Sequence, residues 1–301
     1  MQKKYLLIWC SIFFLSTSFK YSKGSSNYED KSKNNSNYCV IEVNKDEKLK
    51  KIPDKLVVLT FDDGVASHYN FVMPILKRYG FGATFFITEG FNFKTNKKEY
   101  LTWEQIAELD KQGFEIGNHT RDHYSINQET VIHLKEQLSA INDRCNEYGI
   151  PKPVSFAYPG NFIHIDALAV LREAGIIWAR RGNIPEYKGG DDGRGFAYEP
   201  GRDDPLLIPS AGIALPAWTL DDFKKAVAFA KNGKIAVLQF HGVPDNEHPW
   251  VTTNTELFRI YMDYLNENKF QVIALRELSR YINPKIHPKD PWEIIENRKK
   301  R

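Results

Sequence analysis

The stretch Leu56-Val57-Val58-Leu59-Thr60-Phe61-Asp62-Asp63-Gly64 decides the architecture. Its first four residues form a continuous apolar run, the pattern of a strand buried on both faces. An open doubly wound sheet usually follows its first strand with a glycine-rich phosphate turn. Here two carboxylates stand in that place. Downstream, apolar runs at residues 83–87, 114–116, 154–157, 176–179, 235–240 and 271–275 read as further strands. Helix-period segments lie between them. One carries Phe71, Val72, Ile75, Leu76 and Tyr79 on one side; others span residues 103–111 behind a Thr102 N-cap, 129–148, 165–173, 219–230 behind a Thr219 cap, and 256–266. Strand–helix alternation over about 230 residues predicts an α/β fold with a parallel sheet. The acids at the end of the first strand favour a closed β/α barrel over the open form.

Composition bounds the rest. In 301 residues, 42% are hydrophobic and 26% charged, which excludes wholesale disorder and collagen-like repeats. The 41 basic and 38 acidic residues leave a net charge of +3, no electrostatic footprint for nucleic acid. Three cysteines exclude a disulfide scaffold and a zinc ribbon. Lys3 and Lys4, the apolar run 5–15 and Ser16-Thr17-Ser18 have the order of a secretory signal peptide over residues 1–20. The run meets Lys20 too soon to span a bilayer. A polar spacer (21–50), a catalytic domain (51–283) and a solvated basic tail (284–301) follow. The expected location is secreted, periplasmic or cell-envelope, with no stable membrane insertion after signal cleavage. In an oxidising compartment Cys39 and Cys145 could pair or stand as independent thiols.

In a β/α barrel, catalytic groups project from the C-terminal ends of several strands. Asp62-Asp63, His119-Thr120-Arg121-Asp122-His123, Tyr158-Pro159-Gly160-Asn161, Arg180-Arg181 and His241-Gly242 all sit at such ends. His119 and His123 are spaced i, i+4, so on a helical turn their rings share a face. Two imidazoles and one carboxylate bind a divalent metal and leave positions open for water and substrate. Either signal alone has an ordinary explanation in capping or solvation; together, at strand ends, they point to one site. Adjacent aspartates suit two jobs, one binding the metal and its neighbour taking a proton.

On these residues the sequence resembles the polysaccharide deacetylase family, the NodB homology domain of carbohydrate esterase family 4, over roughly residues 50 to 283. Thr60-Phe61-Asp62-Asp63-Gly64 looks like the family's first motif, and His119-Thr120-Arg121-Asp122-His123 like its His-Ser/Thr-x-x-His motif. The resemblance implies a distorted (β/α)7 barrel as a single catalytic domain. It implies metal ligands Asp63, His119 and His123, a general base Asp62, and a general acid His241. The ion is one divalent metal, with zinc fitting a redox-free hydrolysis and cobalt, manganese or iron also accepted by such a set. The substrate implied is an acetylated polysaccharide or oligosaccharide, with N-deacetylation of a GlcNAc-containing polymer favoured. An O-acetyl polysaccharide esterase and a catalytically silent carbohydrate-binding barrel are the alternatives.

Two departures stand out. The family's third motif reads Arg-x-Pro-Tyr/Phe-Gly, with the arginine holding the catalytic aspartate. Here Ala157-Tyr158-Pro159-Gly160-Asn161 occupies the place, so Tyr158 and Gly160 become the substrate and oxyanion candidates. The fourth motif is replaced by Ala179-Arg180-Arg181-Gly182. Strand alternation, with Ala179 inside the barrel and Trp178 outside, makes Arg181 the expected Asp62 partner and Arg180 the alternative. Trp250, in a long loop after His241, is a candidate sugar-stacking residue. Asp191, Asp192, Asp203 and Asp204 read as a solvated acidic loop, with calcium binding as the other reading. His68, His133, His164 and His287 read as surface or structural.

Overall fold

β1 (Leu56–Phe61) is buried along its whole length and forms the axis of the computed structural model. The structure describes residues 49–187 and 192–300. The expected signal peptide, nearly all of the spacer, Cys39 and Asp191 lie outside the described residues. Around β1 run β2 (Thr84–Ile87), β3 (Glu115–Asn118), β4 (Ser155–Ala157), β5 (Trp178–Arg180), β6 (Gly212–Ile213), β7 (Ala236–Phe240) and β8 (Gln271–Ile273). Every pairing among them is parallel, in the order β5-β4-β3-β2-β1-β7-β6. Residues 205–214 close the ring. On one side Ala179 N–H donates to Pro205 O and Arg181 N–H to Ile208 O, both at 2.8 Å. On the other side Ala214 N–H donates to Gln239 O at 2.9 Å.

The barrel is distorted for a reason visible in the register. One edge of β1 is shared: its start pairs with β8 (Val57 with Val272) and its end with β2 (Phe61 with Phe85). β8 therefore wedges the lower half open while the upper half stays tight. Sequence reading finds seven strands, and seven form the ring; it finds β8 and misses β6, whose two residues include a glycine and carry no apolar run.

Helices α1 (Met73–Tyr79), α2 (Trp103–Lys111), α3 (Leu134–Glu147), α4 (Ala167–Glu173), α5 (Leu220–Val227) and α6 (Thr255–Glu267) alternate with the strands. The expected caps form. Thr102 and Thr219 each accept from the third helical N–H inside a full capping box, worth about 1 kcal/mol apiece. α3 starts later than its periodicity suggests, behind a 3-10 turn at Val131–His133.

The tail is solvated only in part. α7 (Glu293–Lys299) buries Ile294, Ile295 and Arg298, and Arg298 donates to both oxygens of Asp203 at 2.8 and 2.9 Å. The acidic loop is corrected with it. Asp203 and Asp204 are buried, and Asp204 accepts from Arg172 at 2.8 Å and from Leu206 N–H. Positive side chains from distant segments, invisible in local composition, neutralise both.

Alternation splits each strand between two packing layers. Val57, Leu59, Phe61, Leu238 and Phe240 face the helices, packing with Leu76, Ile106 and Phe258. Leu56, Val58, Phe86, Ala157, Trp178 and Val237 fill the barrel interior. Trp178 is thus inside and Ala179 outside, the reverse of the expected parity. The interior has room because its neighbours are small. A Cβ on Gly117 would stand 2.4 Å from the Phe86 ring, and β4 contributes only Ser155 and Ala157 beside β5.

Candidate active site

Interior alternation carries polar side chains to the mouth at the upper end of the ring. Along β1 the inward series Leu56, Val58, Thr60 ends in Asp62; along β3 Glu115, Gly117 leads to His119; along β5 Trp178 leads to Arg180. Asp63 would face outward on a continuing strand. Its φ of 73° turns the chain instead, so both aspartates reach the same cleft. For a non-glycine residue this conformation is costly, and it concentrates at functional sites.

His119 and His123 also converge, although no helix forms there. Left-handed residues at Thr120 (φ 64°) and His123 (φ 56°) wrap the loop, and Asn118 Oδ1 accepts from Thr120 N–H at 2.9 Å. The Nε2 atoms of His119 and His123 both lie 3.3 Å from Asp63 Oδ1. Donors about 2.0–2.1 Å from one tetrahedral ion stand about 3.3 Å apart, so the spacing fits a shared cation. Two further observations agree. Asp63 Oδ1 is buried with no hydrogen-bond partner, and His119 Nδ1 is 2.8 Å from Ala157 O. Only Nδ1–H can donate to that carbonyl, which leaves the Nε2 lone pair facing Asp63. Among the described residues this trio is the cluster with metal-ligand geometry.

The electrostatics suit ligation. Burial pushes His123 down to about 4, aided by the charge of His119, so the ring is neutral. Burial opposes ionisation of Asp63, but the imidazoles of His119, His123 and His241 around it outweigh burial and hold the carboxyl well below the usual range. His119 differs: burial would lower it, but the Asp62 and Asp63 carboxylates raise it, so at Nε2 a cation competes with a proton for the same lone pair.

Asp62 is held by Arg180, and Arg181 is a correction. Arg180 Nη2 donates to Asp62 Oδ1 and Oδ2 at 2.7 and 2.6 Å, with both side chains buried. Arg181 points away, donating to Glu186 at 2.6 and 2.7 Å and to Leu207 O. The parity error explains the swap: with Trp178 inside, Arg180 is inside too. Arg180 is moreover the direct cross-strand partner of Ala157. The cation missing at 157 enters from the adjacent strand at the same register.

Tyr158 is a second correction. Its side chain is fully buried behind the sheet, edge-on to Phe156, with its hydroxyl donating to Leu206 O at 3.0 Å. Gly160 does line the cleft, and Trp250 stands at its rim, 66% exposed. His241 completes the mouth, its Nε2 3.9 Å from Asp62 Oδ2 and 4.0 Å from Asp63 Oδ2. His68 is buried beneath it, 3.0 Å from His241 O. Burial lowers His68 to about 4, so it is neutral and donates Nε2–H to that carbonyl.

Sequence reading gives no role to Gln239, Asn161, Phe91 or His248. Gln239 Nε2 donates to Asp62 Oδ2 at 3.0 Å; it is the lone polar residue in an apolar strand, which is a usable signal. Phe91 and His248 lie 4.6 Å apart by ring centroid, between His123 and Trp250, and line the cleft. They sit on loops whose approach no local pattern encodes. The cleft measures about 670 Å³. A larger hollow of about 800 Å³ at the opposite end, beside Gly82, Gly113 and Val272, has none of this chemistry.

The fold is similar to that of the carbohydrate esterase family 4 barrels. Residues 50–178 match the polysaccharide deacetylase family model. It is 28% identical over 130 residues to the peptidoglycan-N-acetylglucosamine deacetylase of Bacillus cereus, covering 42% of this chain and 57% of that protein. It is 28% identical over 141 residues to the poly-beta-1,6-N-acetyl-D-glucosamine N-deacetylase of Staphylococcus aureus, covering 43% and 49%. The chain thus spans about half the length of these relatives. In structure it is similar to a family 4 acetyl xylan esterase from Clostridium thermocellum in complex with a cobalt ion. The TM-score is 0.52 at 19% identity, over 79% of this chain and 96% of that one, a likeness of fold.

Proposed function

We propose that this chain is an exported, metal-dependent hydrolase that removes acetyl groups from a carbohydrate, with the N-acetyl groups of a GlcNAc-containing polysaccharide as the favoured substrate. The observation that carries the reading is the pairing of two differently equipped aspartates. Asp63 shares an open oxygen with two imidazoles, while Asp62 beside it is locked by Arg180 and Gln239. Asp63, His119 and His123 would hold a divalent ion, zinc or another first-row metal. When bound, such an ion supplies Lewis acidity to the acyl oxygen and lowers the pKa of water at that position.

Asp62 is the general base. Oδ2 already accepts from Arg180 and Gln239, whereas Oδ1 accepts from Arg180 alone, so Oδ1 has the spare lone pair for a proton. Arg180 fixes the carboxylate in place. His241 Nε2, on the other side of Asp62, donates a proton to the departing amine, and His68 steadies its backbone. Gly160 N–H donates to the developing oxyanion, and Trp250 stacks on a neighbouring sugar ring. Arg180 takes over the holding role that Ala157 lacks, which supports turnover over a silent barrel. The polymer lies outside the cytoplasm, reached through the export pattern of residues 1–20.

Acetate release from peptidoglycan, poly-GlcNAc and acetyl xylan, with and without chelator, tests the reading. Release from the amide-linked polymers, abolished by chelation, is expected; ester-only turnover would move the assignment to an O-acetyl esterase. Asp62→Asn is expected to keep its metal and lose ~10²–10⁴-fold in kcat.

A further inference from the structure

Asn161 is held in one orientation by groups that cannot reverse their roles. Arg180 Nη1 donates to its Oδ1 at 3.3 Å, and Gln239 Nε2 donates to the same oxygen at 3.3 Å. Arginine has donors only, so the atom facing it must be the carboxamide oxygen. Gln239 is fixed likewise, because its Nε2 is also 3.0 Å from the Asp62 carboxylate. The Asn161 flip is therefore dictated by Asp62 and Arg180. Its Nδ2 makes no hydrogen bond to any described residue and is not among the buried unpaired atoms, yet the residue lines the cleft. The backbone is committed as well. Asn161 has a φ of 64°, and its carboxamide lies against Gly182, where an added Cβ would come within 2.3 Å of Cγ.

The result is a carboxamide N–H, on the residue after Gly160, presented to the cleft with its own oxygen occupied. Such a donor costs no reorganisation when charge develops nearby. We propose that Asn161 Nδ2 is a second oxyanion donor, acting with Gly160 N–H on the acyl oxygen of the substrate. The proposal rests on the acyl-transfer reading above and adds a side chain that Arg180 and Gln239 orient. One network thus serves two ends: the donors that pin Asp62 also aim the amide.

The test uses the full, zinc-loaded chain with p-nitrophenyl acetate and an N-acetylglucosamine oligomer. Asn161→Gly tolerates the left-handed backbone and removes the carboxamide. Asn161→Asp keeps an oxygen for Arg180 and Gln239 and removes the donor. Both are expected to lose about 10²–10³-fold in kcat with KM within a few-fold, and Asn161→Gly, which adds no charge, is expected to leave the acidic limb of the pH–rate profile unmoved. Either variant keeping kcat within tenfold of wild type would overturn the proposal. So would recovery by Asn161→Asp together with a shifted acidic limb in Asn161→Gly, the signature of a brace acting through Arg180. A wild-type chain inert toward both probes would instead sink the hydrolase reading, and this one with it.

Discussion

Two carboxylates are buried inside the same barrel, and they are built for opposite purposes. Glu115 lies at the floor and Asp63 at the mouth, both almost fully buried. Glu115 accepts from Thr84 and Ser155 hydroxyls and from Arg276 N–H at 2.5–2.7 Å, so each oxygen is occupied from within. Burial dominates there and raises its pKa, because the partners are neutral dipoles. Asp63 has three imidazoles around it and an oxygen with no partner. Burial alone does not make a site; what distinguishes the mouth is charge opposite the carboxylate and a lone pair left open.

The strongest way to break this contrast is to neutralise each acid. Asp63→Asn is expected to take metal content from about one ion per chain to near zero, since the remaining imidazoles cannot hold the ion against water. Glu115→Gln should leave metal content unchanged. Elemental analysis of the two purified variants decides, and equal metal loss in both would erase the distinction.

The adjacent arginines sharpen it next. Arg180→Ala and Arg181→Ala each remove the main cationic partner of a buried carboxylate, Asp62 or Glu186, and each should cost about 3 kcal/mol of stability in denaturant titrations. Only Arg180→Ala should also lower kcat. A comparable fall in kcat for Arg181→Ala would mean that the Glu186 pair supports the mouth as well.

The smallest effect is on pH dependence. Because the Glu115 carboxyl is raised in the fold, the native state retains a proton above about pH 4.5 that the unfolded chain has released. Stability therefore falls as pH rises through that window. Glu115→Gln can keep the same bonds, its oxygen facing Thr84 and Arg276 and its amide donating to Ser155. It should flatten the slope in urea midpoints measured from pH 4.5 upward. An unchanged slope would show that Glu115 is not the group responsible.

The floor and the mouth were unequally legible. Apolar strands ending in acids and histidines exposed the barrel and the candidates Asp62, Asp63, His119, His123 and His241, because each lies at or just after the end of a strand that is itself legible. The route to convergence was not legible: His119 and His123 meet through left-handed loop residues, not through a helical turn. Arg181 was chosen over Arg180 from the bulk of Trp178, and the choice failed because interior volume depends on Gly117 and Ala157 of other strands. Tyr158 failed for a related reason, since the family's word order does not say which face a shortened motif presents.

By itself, then, the sequence determined most of the strand–helix order, the helix caps, the barrel class and the acids and histidines of the metal-type trio. Each rests on local patterns, a run, a cap or a strand end, read one segment at a time. Which arginine meets Asp62, how Asn161 and Gln239 face it, that β8 wedges beside β1, and that Arg298 neutralises Asp203 were decided only by the tertiary structure. Those pairings join side chains 95 to 118 residues apart for the two ion pairs, and they depend on volume and orientation inside a closed ring. No alternation along a single strand records either quantity.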